Sequence, residues 1–215
     1  MTQNKLDTNI PSCHKGFEGI DDEFDYWVDE SKIEGEIPSD LNGTFFRNGP
    51  GRMKVGDDQF GHWFDGDGMV CRFSFKDGQV HFANKFVQTP KYVADSKAQK
   101  IVTRGFGTQL KGGWFKNFLK PPANPANTNT VVINDQLLAL YEGGRPFAMN
   151  PKDLSTQGEY NFDGQLGKMN MFSAHGRYHH ASKSFINFAS GVDTKFKPCL
   201  YLYKIDSSGQ LIDKS

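Results

Sequence analysis

The residues most able to do chemistry are six histidines: His14, His62, His81, His175, His179 and His180. Three of them fall together in Ser173-Ala-His-Gly-Arg-Tyr-His-His. On a helix, His175 and His179 would share a face, as paired metal ligands do. Gly176 and the β-type surroundings argue against a helix, and no carboxylate lies nearby to complete a local site. The plain reading is a surface or core turn. A zinc or hydrolase site built from His175, His179 and His180 is the sharper alternative. In His62-Trp-Phe-Asp-Gly-Asp-Gly-Met, Asp65 and Asp67 have the look of a calcium loop, but the further oxygen ligands and the distal Glu are missing. A tight glycine turn opening the next hairpin is favoured. Arg47-Asn-Gly-Pro-Gly lacks the Gly-Lys-Ser/Thr of a phosphate loop. Glu142-Gly-Gly ends an apolar strand; it reads as a turn, or as a carboxylate that accepts an imidazole N–H from a metal-bound histidine. Trp114, Phe115, Phe118 and Leu119 alternate with Lys111, Lys116 and Lys120. Such a segment, apolar on one side and cationic on the other, suits a membrane interface, or else an ordinary core helix or Ω-loop.

These residues must be positioned by a chain of 215 residues with 25 basic and 25 acidic side chains. The zero net charge argues against nucleic acid, which requires a basic surplus or stripe. The mean hydropathy is −0.60 and no 18-residue apolar run occurs, which excludes a helical membrane span. No secretory core is visible at the start, so a cytoplasmic location is expected. Cys13, Cys71 and Cys199 are scattered and odd in number, which favours a reducing compartment over a disulfide framework. The chain holds 19 Phe and 23 Gly. Abundant aromatics between frequent turns suit an all-β protein.

Residues 1–30 read as an acidic N-terminal arm packed by Phe17, Phe24, Tyr26 and Trp27, and residues 31–215 as the main domain. Pro38, Asn42-Gly43 and Asn48-Gly49-Pro50 predict turns joining short strands. Residues 69–87 form the clearest hairpin, alternating on both sides of Asp77-Gly78. Further strands are expected at 130–133, 137–141 and 184–189, and a last hairpin at 200–212 turning at Ser207-Ser-Gly. A short helix is expected over Ala94–Arg104, within a short helical and apolar insertion. Strand pairs every 40–60 residues hint at propeller blades, about 40–45 residues each.

Five segments, in order, resemble the carotenoid cleavage oxygenases, also called the retinal pigment epithelial membrane protein family. They are Gly35-Glu-Ile-Pro-Ser-Asp-Leu-Asn-Gly-Thr-Phe-Phe-Arg-Asn-Gly-Pro, His62-Trp-Phe-Asp-Gly-Asp-Gly-Met-Val, Asn127-Thr-Asn-Thr-Val-Val, Leu137-Leu-Ala-Leu-Tyr-Glu-Gly-Gly-Arg-Pro and Phe172-Ser-Ala-His. The resemblance implies a seven-bladed β-propeller holding Fe(II) through four histidines, with three glutamates orienting the histidines. Such enzymes cleave a carbon–carbon double bond of a carotenoid or apocarotenoid with O2; some relatives isomerise retinyl esters or cleave stilbenes. By resemblance His175 is the first iron ligand, Glu142 a carboxylate behind an imidazole, and Thr128 a neighbour of the open iron position. Residues 106–119, with Trp114, Phe115, Phe118 and Leu119, match an apolar patch at the tunnel mouth, implying peripheral membrane contact.

Two departures stand out. Gly176-Arg177 replaces the family's usual Pro-Lys, and His179 stands at an acidic position; His179 and His180 are assigned no metal role. Seven blades also need roughly 300 residues. The expectation is therefore a partial propeller of about four blades, the N-terminal part of a longer enzyme, inactive by itself and lacking three of the four iron ligands. The alternative is a non-catalytic truncated product, or a carotenoid- or lipid-binding module.

Overall fold

The computed structural model describes residues 18–118, 120–167, 170–192 and 197–215, without the Trp114 side chain. Phe17, Cys13 and Leu119 lie outside the described residues.

The strands are β1 (Asp25–Trp27), β2 (Gly43–Arg52), β3 (Lys54–Val55), β4 (Asp58–Gln59), β5 (Asp67–Lys76) and β6 (Gln79–Phe86). Helices α1 (Pro90–Ala98) and α2 (Trp114–Asn117) follow. Then come β7 (Asn129–Ile133), β8 (Gln136–Leu140), β9 (Phe147–Met149), β10 (Thr156–Glu159), β11 (Arg177–His179), β12 (Ser184–Val192), β13 (Pro198–Ile205) and β14 (Leu211–Lys214). They build three four-stranded antiparallel blades, ordered β1-β6-β5-β2, β10-β9-β8-β7 and β11-β12-β13-β14, and a small β3-β4 ribbon. The molecule is all-β, a partial propeller.

Alternation along the strands decides how the blades stack. Val70, Ala83 and Phe46 of the first blade pack on Leu137, Ala139, Phe147 and Met149 of the second. The other face of the second blade presents Ile133, Leu138, Leu140 and Ala148 to Phe185, Ala189, Tyr203 and Ile205 of the third. Leu137–Leu140 is therefore buried on both sides. That is why β8 reads as a continuous apolar run rather than an alternating one. Burying such side chains contributes about 1.5–3 kcal/mol each. Asparagines staple the blades together. Asn48 Nδ2 donates to the carbonyls of Ala126 (2.8 Å) and Asn129 (3.0 Å) on the second blade. Asn129 Nδ2 donates to the Ala174 carbonyl (2.8 Å) leading into the third.

The hairpins form where expected. Asp77-Gly78 turns β5 into β6, and Asn134-Asp135 turns β7 into β8 with both residues left-handed, at φ 47 and 58. Three expectations need correction. The helix spans Pro90–Ala98, not Ala94–Arg104. Thr89 Oγ1 accepts the Tyr92 N–H, and Pro90 presets the first helical φ. Gln99 turns left-handed, and the Asp95 carboxylate then draws in the Val102 and Thr103 N–H groups. Asn48-Gly49-Pro50 is not a turn but the middle of β2, whose pairing with β5 shifts register between Pro50 and Arg52. A bulge absorbs the missing proline N–H. Lastly, the expected N-terminal arm contributes a strand to the main domain: β1 closes the outer edge of the first blade against β6. Three residues are too few to show a period.

A charge cluster outside the expected sites anchors the first blade. Asp67 accepts Arg52 Nε at 2.8 Å on one oxygen and Lys91 Nζ at 2.7 Å on the other. Lys91 also faces Asp95 at 3.5 Å, and Arg52 lies over the Tyr92 ring at 4.3 Å. All four ionic side chains are buried or nearly so. Opposite charges matched at this depth offset the cost of desolvation.

Candidate functional site

The inner ends of the three blades enclose a cavity of about 920 Å3. Thr128, Glu142 and His175, expected to work together, all line it.

Each is placed by backbone built for close approach. Gly68 lies so tightly against the 125–126 segment that an added Cβ would meet the Ala126 carbonyl oxygen at 2.2 Å. Asn127, in the same segment, is buried and donates to the carbonyls of Phe64 (3.0 Å) and Gly66 (2.7 Å). Thr128 is thereby held at the start of β7, its N–H on the Leu140 carbonyl at 3.0 Å. Asn187 Nδ2 grips the Ser173 carbonyl at 2.9 Å and Asn129 the Ala174 carbonyl, so two side-chain amides fix the approach to His175. Gly176 follows because a Cβ there would sit 2.4 Å from the Phe185 ring. The glycine is a packing requirement of the third blade.

Glu142 reaches across from the end of β8. Its Oε1 accepts the Ala174 N–H at 3.2 Å and lies 2.9 Å from His175 Nε2. One carboxylate oxygen thus orients both the loop and the ring, the arrangement that fixes a metal-binding imidazole. Tyr141 stands beside it. Burial, then the carboxylates of Asp65 and Glu142, push its phenol above the ordinary tyrosine value. It remains an O–H donor on the cavity wall.

The rest of the wall is largely apolar, with Trp63, Phe64, Phe106 and Met171. The His62 ring packs edge-on against two of these side chains, Phe64 (4.7 Å) and Phe106 (5.3 Å). Asp65 and Asp67 are structural. Asp65 accepts the N–H groups of Phe106 and Gly107 and the Thr108 hydroxyl, while Asp67 holds Arg52 and Lys91. The favoured glycine turn is in fact a short 3-10 turn, Trp63–Asp65, leading straight into β5. His179 and His180 are not brought to His175. His179 Nδ1 pairs with Ser182 Oγ at 2.7 Å, and the His180 ring lies against Tyr178. Among the described residues no three His, Cys, Asp or Glu side chains gather as a metal-binding group.

The aromatic patch is placed in part. Phe115 is 86% exposed and Phe118 half exposed, and Asn117 braces the loop through Leu110 and Gly113. Leu119 and the Trp114 side chain lie outside the described residues. No helix among the described residues is long and apolar enough to cross a membrane.

The sequence reading missed Asn127, Asn129, Asn187 and Tyr141. The Asn127-Thr-Asn-Thr segment was visible, but an amide that staples one loop to another shows no periodicity.

Antiparallel four-stranded blades stacked face to face around this cavity define a propeller protein. The family model for retinal pigment epithelial membrane protein matches residues 17–215, and the chain belongs to that family. It is 42% identical over 207 residues to the apocarotenoid-15,15'-oxygenase of Synechocystis, covering 92% of this chain and 41% of that protein. It is 37% identical to lignostilbene-alpha,beta-dioxygenase isozyme III of Sphingomonas paucimobilis, covering 84% of this chain and 36% of that one. The crystal structure of the cobalt-substituted Synechocystis enzyme superposes with a TM-score of 0.86 at 41% identity, over 94% of this chain and 43% of that chain. The chain thus spans about two-fifths of the length of the relatives it matches.

Proposed function

We propose that this chain is the N-terminal part of an Fe(II)-dependent oxygenase that cleaves a carbon–carbon double bond of a carotenoid or apocarotenoid with O2. The observation that carries the reading is the His175–Glu142 pair at 2.9 Å in an apolar cavity of about 920 Å3. The donor set fits one corner of an imidazole-built site. His175 would hold the metal through the ring nitrogen that Glu142 leaves open, and imidazole suits Fe(II). The remaining ligands come from outside the described residues. When bound, the iron supplies activation of O2.

The chain's own residues supply the rest. Glu142 keeps the His175 ring in one orientation and raises its basicity. Thr128 narrows the space beside the ring. Trp63, Phe64 and Phe106 offer flat apolar surfaces to a polyene and exclude water from it. Phe115 and Phe118 are exposed, and Pro121 and Pro122, a few residues further along the chain, line the cavity. Exposed aromatic side chains interspersed with Lys116 and Lys120 support substrate uptake from a membrane surface.

The test is a chimera in which this chain replaces the matching segment of the Synechocystis oxygenase, incubated aerobically with an apocarotenoid. Two carbonyl products from a folded, iron-loaded chimera support the reading. A folded chimera that holds iron yet leaves the apocarotenoid intact contradicts it.

A further inference from the structure

Residues 101–113, between α1 and α2, form neither helix nor strand. Phe106 nevertheless stands on the cavity wall beside Phe64, their ring centroids 6.1 Å apart. With no ladder of its own, the loop is placed by a carboxylate. Asp65, only 2% exposed, ends the Trp63–Asp65 turn and takes three donors from the loop. Its Oδ1 accepts the Phe106 N–H, and its Oδ2 accepts the Gly107 N–H at 2.9 Å and the Thr108 hydroxyl at 2.7 Å. Thr108 Oγ1 in turn accepts the Gly61 N–H at 2.8 Å, so turn and loop are laced in both directions. Hydrogen bonds to an ionised acceptor are roughly twice as strong as neutral ones.

Glycine on both sides of Phe106 allows the close approach. A Cβ on Gly105 would meet the Asp65 carboxylate carbon at 2.4 Å, and one on Gly107 would meet the His62 Cβ at 2.4 Å. Phe106 is thereby pressed edge-on against the His62 ring. His62 is itself fixed: its Nδ1 accepts the Phe64 N–H at 3.1 Å, so that nitrogen carries no proton. Phe64, His62 and Phe106 thus form one aromatic unit, and every group that holds it lies between residues 61 and 108. We propose, building on the apocarotenoid reading above, that Asp65 is a positioning residue for the substrate. It touches no substrate itself. By holding Phe106 against His62 and Phe64, it sets the width of the apolar wall and so the register in which an extended polyene meets the His175 ring. Misplacing a reactant by about 1 Å can cost about 100-fold in rate. Asp65→Asn keeps the shape but leaves the Phe106 and Gly107 N–H groups competing for one acceptor oxygen.

The iron-loaded chimera provides the test. Quenching of its tryptophan fluorescence by an apocarotenoid gives a Kd beside the KM for cleavage. Asp65→Asn and Phe106→Ala should each raise Kd about tenfold. The double variant should bind no more weakly than Phe106→Ala alone, because the carboxylate works only through that ring. Circular dichroism, thermal melts and iron content check that each variant is folded and loaded. Thr108→Val, which strips one donor from the same carboxylate, replaces Asp65→Asn if that variant does not fold. An unchanged Kd for Asp65→Asn, or losses that multiply in the double variant, would overturn the inference, while a wild-type chimera that cleaves keeps the functional reading. A wild-type chimera that binds the apocarotenoid without cleaving it contradicts the functional reading, and the Kd comparison then still decides the role of Asp65. A wild-type chimera that does not bind it overturns both.

Discussion

His175 Nε2 lies 2.9 Å from Glu142 Oε1, and the same oxygen accepts the backbone N–H of Ala174. One carboxylate thus fixes the histidine twice, through its ring and through the residue before it. Glu142→Gln preserves the size but removes the charge, so the ring keeps only a neutral amide oxygen in place of a carboxylate. In the chimera this substitution should weaken iron retention about 10–100-fold. Dialysis against a graded chelator series, followed by iron analysis, measures it. Unchanged retention would separate Glu142 from the metal.

Gly176→Ala tests why glycine follows the histidine. The added methyl would press on Phe185, an overpacking that costs about 1–3 kcal/mol. For a chain of this size the melting temperature should fall roughly 2–12 °C. Gly49→Ala is the control. It too lies in the cavity wall, but an added Cβ there meets nothing within 4 Å, so the melt should move by little.

Asp67→Asn removes the anion shared by Arg52 and Lys91 and leaves two buried cations short of a partner. Breaking a buried pair from one side costs about 3–5 kcal/mol. Urea unfolding of the 215-residue chain should show that loss. A cost below about 1 kcal/mol would mean that Asp95 alone compensates both cations.

Acid sensitivity follows from Asp206, which binds the turn between β13 and β14. The Ser208 hydroxyl, then the N–H groups of Gln210 and Ser208, hold its carboxyl below the ordinary aspartate value of 3.8. Folding thus favours the ionised form. Its contribution is fully present above pH 3.8 and is lost as pH falls through the lowered folded value. Asp206→Asn should therefore narrow the stability gap between pH 6 and pH 3. Chemical unfolding curves at the two pH values give the comparison. An unchanged gap would mean that the turn is held by its backbone alone.

The β content and the hairpins were legible because their signals are local: Asp77-Gly78 and Asn134-Asp135 sit between apolar runs and need no distant partner. The helix was misplaced because its decisive residues lie at the ends. Thr89 and Pro90 start it, and Asp95 ends it through amides seven and eight residues on. Pro50 misled because only the pairing with β5 reveals the bulge that tolerates it. At the site, the resemblance marked His175, Glu142 and Thr128, and all three meet in one cavity. The residues that place them could not be read in advance. Asn48, Asn129 and Asn187 act on carbonyls 78, 45 and 14 residues away. The fates of Asp65 and Asp67 likewise depend on Thr108 and Lys91, which no local pattern connects to them.

We propose His175 as one ligand of an iron site that the 215 residues by themselves do not complete. Iron per chain by elemental analysis tests it most directly, on the isolated 215-residue protein, the chimera and the chimera carrying His175→Ala. The account predicts far less than one iron on the isolated chain, one on the chimera, and its loss with His175→Ala in a protein that still folds. Stoichiometric iron on the isolated chain, or on the folded His175→Ala chimera, would contradict it.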